Sequence, residues 1–100
     1  MLGTPSKRGT SETMSDLKKK FDAAAKEAQK LPSRPSDEDM LRMYALYKQA
    51  TVGDASGDRP GAFDFVNRAK YDAWARLKGT DADKAMKSYV ELVERLKKLG

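Results

Sequence analysis

Histidine and cysteine are both missing from this chain of 100 residues. Without cysteine, neither a disulfide framework nor a thiolate metal site is available. Without histidine, the commonest general base, the side chain that switches near neutral pH and the commonest metal ligand are gone as well. Asp, Glu, Lys and Tyr could still serve catalysis, but the balance tips toward a protein that binds rather than an enzyme, with no cofactor expected. Long apolar runs are absent too. Nothing approaches the ~20 consecutive apolar residues that cross a bilayer, and the first residues lack the apolar segment of a secretory leader. Hydrophobicity itself is not scarce: 39% hydrophobic beside 35% charged residues is the composition of a folded domain, not of a disordered one. The length allows a single domain with one core.

Charge of one sign is also in short supply. The net charge is +5, which raises the question of nucleic acid. Residues 1–34 carry eight Lys/Arg against four Asp/Glu, residues 35–79 seven against seven, and residues 80–100 five against four. The excess therefore sits in the N-terminal third, and no unopposed basic stripe runs through the middle. A surface that tracks phosphates concentrates one sign, so no nucleic-acid partner is expected.

What is present is helical periodicity. Residues 1–13, "MLGTPSKRGTSET", show none; they read as a flexible tail or leader ahead of Met14, and lack the amphipathic stripe of a transit peptide. From Ser15, Leu17, Phe21, Ala24, Ala25, Ala28 and Leu31 recur on one helix face until Pro32. "PSRPSDED" predicts a turn, with Ser36 and Asp39 spaced as a helix N-cap. A second helix should run to about Gly53, followed by a long loop turning at Gly57 and Gly61. A third is predicted over Phe63 to Lys78, ending at Gly79 in a left-handed C-cap. Thr80 with Asp83 predicts the next cap. The fourth helix then carries Ala82, Ala85, Met86, Tyr89, Val93 and Leu96 on one stripe. Strand alternation appears nowhere and no repeat or regular heptad is visible, so residues 15–100 predict an all-α four-helix domain.

The second helix has two apolar faces where one suffices to anchor a helix. Met43, Leu46 and Ala50 form one; Met40, Leu41, Tyr44, Tyr47 and Lys48 lie roughly opposite. Tyrosines at helical spacing are ordinarily core residues with a bonded hydroxyl. A lone lysine in an apolar stripe, such as Lys70 between Val66, Ala73, Trp74 and Leu77, ordinarily snorkels. Here three helices place Tyr or Lys inside their own apolar stripes, with Tyr89 central on the fourth. Gathered at one opening, these groups would suit an amphipathic anion.

At these residues the chain resembles the acyl-CoA-binding protein family. The likeness spans about residues 15–100, and its most specific pieces are "YKQATVGD…RPG" and "KYDAW…LKG…AM…Y". The resemblance implies a four-helix bundle of up-down-down-up topology that binds fatty acyl-CoA without chemistry. Tyr44, Tyr47 and Lys48 match the family's YxxYK motif, which also encloses Ala45 and Leu46. Lys70 and Tyr89 would complete the headgroup site, and Phe21, Ala25 and Leu41 would lie near the ligand. Gln29 stands where the family has a lysine, Tyr71 where it has a tryptophan, and "FVNRAK" where it is richer in lysine. The implied role is a cytoplasmic, monomeric carrier and pool buffer for medium- to long-chain acyl-CoA, its chain in a groove of the first two helices. The alternative is a helical module whose tyrosine groove receives a partner's amphipathic helix. "GDASGD" lacks the ending of a phosphate-binding P-loop, and "DADK" is too short for a calcium loop. The run Lys18–Lys20 attracts a membrane surface only weakly, so at most transient contact is expected there.

Overall fold

The computed structural model describes residues 14–99, which form four helices: α1 (Met14–Ala28), α2 (Asp37–Thr51), α3 (Phe65–Ala75) and α4 (Ala82–Leu99). The tail expected at residues 1–13 lies outside the described residues. No strand occurs among them.

Local chemistry sets most helix ends. Helix α1 closes with tight turns from the Gln29 and Lys30 amides to the Lys26 and Glu27 carbonyls, and Pro32 then bars its continuation. The Ser36 hydroxyl caps α2 by accepting from the Asp39 amide at 3.1 Å. Asp37, Glu38 and Asp39 follow in the first turn, where carboxylates favour the positive end of the helix dipole. At its other end the Val52 and Gly53 amides both donate to the Lys48 carbonyl, with Gly53 at φ +100°.

Two boundaries differ from the sequence pattern. Helix α3 is shorter than 63–78 at both ends. Phe63 sits in a turn closed by the Asp64 amide on the Gly61 carbonyl, and residues past Ala75 wind in i→i−3 turns before Gly79 reverses at φ +90°. The cap of α4 is Asp81, whose carboxylate accepts from the Lys84 amide at 2.8 Å. An Asp one residue nearer the helix outcompetes Thr80, because it is the stronger acceptor and faces the dipole. Ala82 consequently falls on the exposed side of the first turn.

Pairs of residues between helices give the directions. Lys97 bonds Glu27 at 2.9 Å, so the C-terminal ends of α1 and α4 coincide. Arg95 reaches Asp39 at 3.2 Å, and Gln49 donates to the Thr80 carbonyl at 2.8 Å, which sets α2 antiparallel to α4. The Trp74 indole donates to the Gly53 carbonyl at 2.7 Å, placing the ends of α2 and α3 together. The bundle is therefore up-down-down-up.

Helix α4 lies between α1 and α2, while α3 packs on the other flank of α2. The core gathers Leu17, Phe21 and Ala24 of α1, Leu46 and Ala50 of α2, and the Ala85, Met86, Tyr89, Leu92, Val93 and Leu96 stripe of α4. This accounts for the two apolar faces of α2. Met43, Leu46 and Ala50 serve the core; of the opposite face, Met40, Leu41 and Tyr44 are turned to α3, whereas Tyr47 meets Phe21 and Tyr89.

A polar clasp around the buried Gln49 ties the helix ends together. Gln49, 1% exposed, donates through Nε2 to both the Asp54 carboxylate and the Thr80 carbonyl, each at 2.8 Å. Asp54 also accepts from the Gly79 amide at 2.9 Å. One carboxylate thus joins the end of α2, the long loop and the turn into α4.

Candidate functional site

Helix α2 presents Leu41, Tyr44 and Lys48 at spacings of three and four residues, one above another on the flank that faces α3. Because α3 runs parallel to α2, its Phe65, Val66, Ala69 and Lys70 stand opposite them. Between the two helices opens a cavity of about 570 Å³. Met40, Leu41, Tyr44, Phe65, Val66 and Ala69 give it predominantly apolar walls, and Lys70 stands at one end. Arg34 and Asp37, paired at 3.4 Å, border the other. The groove for the chain was expected between the first and second helices; this cavity lies instead between α2 and α3.

Two cations converge on one ring. The Lys70 ammonium lies 5.3 Å from the centre of the Tyr44 ring, and the Lys48 ammonium 6.0 Å from it and 4.9 Å from Trp74. Neither ammonium forms an ion pair with a carboxylate among the described residues. Ring faces hold a cation without neutralising it, so both charges stay available to an anion. At 1.5 Å rise per residue, α2 places Lys48 ~16 Å from Asp37 along its axis. The site is thus an elongated apolar space with a positive pole.

The remaining aromatic residues form a second cluster beside the first. Phe21 stacks on Tyr47 with ring centres 5.4 Å apart and meets the edge of Tyr89 at 5.1 Å, while Tyr47 and Tyr89 are 6.0 Å apart. Tyr47 is half-exposed and Tyr89 buried. Burial, then the nearby Tyr47 phenol, pushes the Tyr89 hydroxyl above its ordinary value, so it stays protonated and able to donate.

The structure brings Leu41, Tyr44 and Lys70 into the cavity's lining, sets Lys48 outside that lining against the Tyr44 and Trp74 rings, and gathers Phe21, Tyr47 and Tyr89 in a second cluster. Ala25 is half-buried one turn after Phe21, against the core. Leu46 is a core residue, and Ala45 lines a separate cleft of about 210 Å³ with Arg42 and Leu77. Gln29 is exposed in the turn after α1. Sequence reasoning missed Arg34, which sits in the irregular segment before α2, Asp37, the first residue of α2, and Phe65, which the predicted stripe of the third helix skipped. It also counted Trp74 as core packing alone, although its ring seats Lys48. Tyr71 faces away from the cavity's lining: its hydroxyl donates to the Gly57 carbonyl at 3.1 Å and its ring meets the edge of Trp74. Among the described residues no group of three or more carboxylates could hold a metal, and no helix is long and apolar enough to cross a membrane.

Comparison with known proteins converges on one family. The family described as Acyl CoA binding protein matches residues 18–93. The chain is 46% identical over 76 residues to the acyl-CoA-binding protein of Saccharomyces cerevisiae, covering 76% of this chain and 87% of the yeast protein. It is 49% identical over 76 residues to acyl-CoA-binding protein homolog 1 of Caenorhabditis elegans, covering 76% and 88% of the two chains. Among solved structures, the crystal structure of Oryza sativa acyl-CoA-binding protein 2 superposes with a TM-score of 0.79 at 41% identity, covering 83% of this chain and 92% of the rice chain. With its sequence, helix order and bundle all matched, this chain belongs to the acyl-CoA-binding protein family.

Proposed function

We propose that this protein binds medium- to long-chain acyl-CoA thioesters without transforming them, and serves as a monomeric cytoplasmic carrier and buffer of that pool. The observation that carries the reading is the pair of carboxylate-free ammoniums, Lys48 and Lys70, held against Tyr44 at one end of an apolar cavity. Ligands with one polyanionic end and one long apolar end fit such a site; acyl-CoA is one, and the relatives' names agree with it.

In this reading Lys48 and Lys70 take the ribose 3′-phosphate through charge-assisted hydrogen bonds. The Tyr44 and Tyr47 hydroxyls donate to phosphate or their rings stack on adenine, and Tyr89 closes the nucleotide side. Gln29 offers a neutral amide near the end of α1, a weaker phosphate contact than an ammonium. The acyl chain lies along Leu41, Met40 and Val66. At ~0.8 kcal/mol per buried CH₂, a palmitoyl chain contributes on the order of 10 kcal/mol gross. Ordering a flexible ligand offsets several kcal/mol of this. The remainder, with the phosphate contacts, supports sub-micromolar binding. Chain burial supplies most of the affinity, and the nucleotide site selects against free fatty acid.

Calorimetric titration with palmitoyl-CoA, its 3′-dephospho analogue and palmitate tests the assignment. The expected order is palmitoyl-CoA well ahead of the dephospho analogue, with palmitate weak. Equal affinity for all three would remove the Lys48–Lys70 pair from nucleotide recognition.

A further inference from the structure

The cavity between α2 and α3 has a neighbour behind one of its walls. On α2, Asp37, Met40, Leu41 and Tyr44 line the cavity, while Glu38, Leu41, Arg42 and Ala45 line the cleft of about 210 Å³. These are adjacent rows with the same helical spacing, and Leu41 is the residue common to both linings. Opposite it, α3 offers Ala69 to the cavity and Ala73, one turn further on, to the cleft. The cleft has apolar walls in Leu41, Ala45, Ala73 and Leu77, with the exposed side chains of Glu38, Arg42 and Arg76 at its rim. At the far end of the cavity a chain meets instead the Arg34–Asp37 ion pair, whose charges favour water over methylenes. Leu41 itself is half-buried and does not belong to the core.

We propose that Leu41 is a partition that fixes the chain-length limit of the acyl site, and that the cleft behind it is a closed extension that takes the end of a longer chain once this side chain is shortened. The inference deepens the acyl-CoA reading and rests on it. A methylene gains by leaving water only where apolar atoms receive it. The cavity supplies them along Met40, Leu41 and Val66, and they give out at the Arg34–Asp37 end. Further apolar surface lies on the other side of Leu41, at Ala45, Ala73 and Leu77. Alanines at 45, 69 and 73 leave little bulk around this boundary, so the leucine side chain is what divides the two spaces. Shortening it to a methyl joins them, whereas a side chain of similar volume keeps them apart. Selectivity for length is then set by one side chain in the wall rather than by the mouth of the cavity.

The test is a calorimetric titration of the full chain into palmitoyl-, stearoyl- and behenoyl-CoA, each below its micellar concentration. Wild type, Leu41→Ala and Leu41→Met are compared. Wild-type affinity should level off by stearoyl-CoA. Leu41→Ala should bind palmitoyl-CoA about three- to tenfold more weakly, having lost part of the wall, yet gain about tenfold from stearoyl- to behenoyl-CoA. Leu41→Met should follow wild type. Methyl-labelled protein supplies a second readout by NMR: contacts from the terminal methyl of behenoyl-CoA should reach Leu77 in Leu41→Ala and not in wild type. Wild type that keeps gaining through behenoyl-CoA would overturn the partition. So would a Leu41→Ala series that levels off with wild type, or contact between the chain end and Leu77 in wild type. Palmitoyl-CoA that fails to bind wild type at all would instead remove the acyl-CoA reading on which the partition rests.

Discussion

At the scale of single residues, Lys48 and Lys70 are cations held by aromatic rings rather than by carboxylates. Lys18, Arg59, Arg95 and Lys97 all meet carboxylates, whereas Lys48 and Lys70 meet the faces of Tyr44 and Trp74. Replacing either by Ala should cost ~1.5–3 kcal/mol of acyl-CoA affinity, the scale of hydrogen bonds to charged groups. Folding should lose only about 0.5–1 kcal/mol, the worth of an exposed cation–π contact. Titration calorimetry beside thermal melts checks both quantities. A collapsed melting temperature with affinity intact would make the lysines structural. These residues were legible in the sequence because Tyr44, Tyr47 and Lys48 recur at helical spacing and Lys70 interrupts an apolar stripe. Arg34 and Asp37 were not, since a side chain from an irregular segment or at the first position of a helix has no apolar periodicity to mark its direction.

At the scale of elements, the clasp made by Gln49, Asp54, Gly79 and Thr80 couples the end of α2 to the start of α4. The Gly79 amide, and next the Gln49 amide, hold the Asp54 carboxyl below its ordinary value of 3.8. A lowered folded-state value means that the unfolded chain takes up the proton first as pH falls. The stabilisation from Asp54 is therefore complete above the ordinary carboxylate value and disappears as pH drops through the lower folded one. Asp54→Asn keeps an acceptor for Gly79 but has no charge to lose. Urea melts should find the variant less stable than wild type near neutral pH, with the gap narrowing in acid. A gap independent of pH would exclude the ionised carboxylate as its source. Sequence reasoning recovered the existence, order and type of all four helices, because each has an apolar stripe that only burial satisfies. The ends of α3 escaped it: the i→i−3 turns after Ala75 keep nearly helical side-chain spacing, so Leu77 still reaches the core.

At the scale of the whole molecule, the bundle divides its work along α2. One face of that helix completes a core with α1 and α4, and the opposite flank is only partly covered by α3. The double apolar face of α2 was readable in the sequence; which helix would cover the second face was not, because that depends on the path of the 53–64 loop. If the uncovered space receives the acyl chain, Leu41→Asp should weaken palmitoyl-CoA binding far more than octanoyl-CoA binding, while leaving the core untouched.

The acyl-carrier account stands most directly on the calorimetric series from free CoA through octanoyl- to palmitoyl- and stearoyl-CoA. Each two-carbon extension should add up to ~1.6 kcal/mol, or at most about fifteen-fold in affinity. Partial exposure and ordering of rotors reduce that step, and the gain should level off where the cavity ends. Free CoA should bind poorly although it carries every phosphate. A flat series, with free CoA equal to palmitoyl-CoA, would contradict the account and leave a nucleotide-binding bundle.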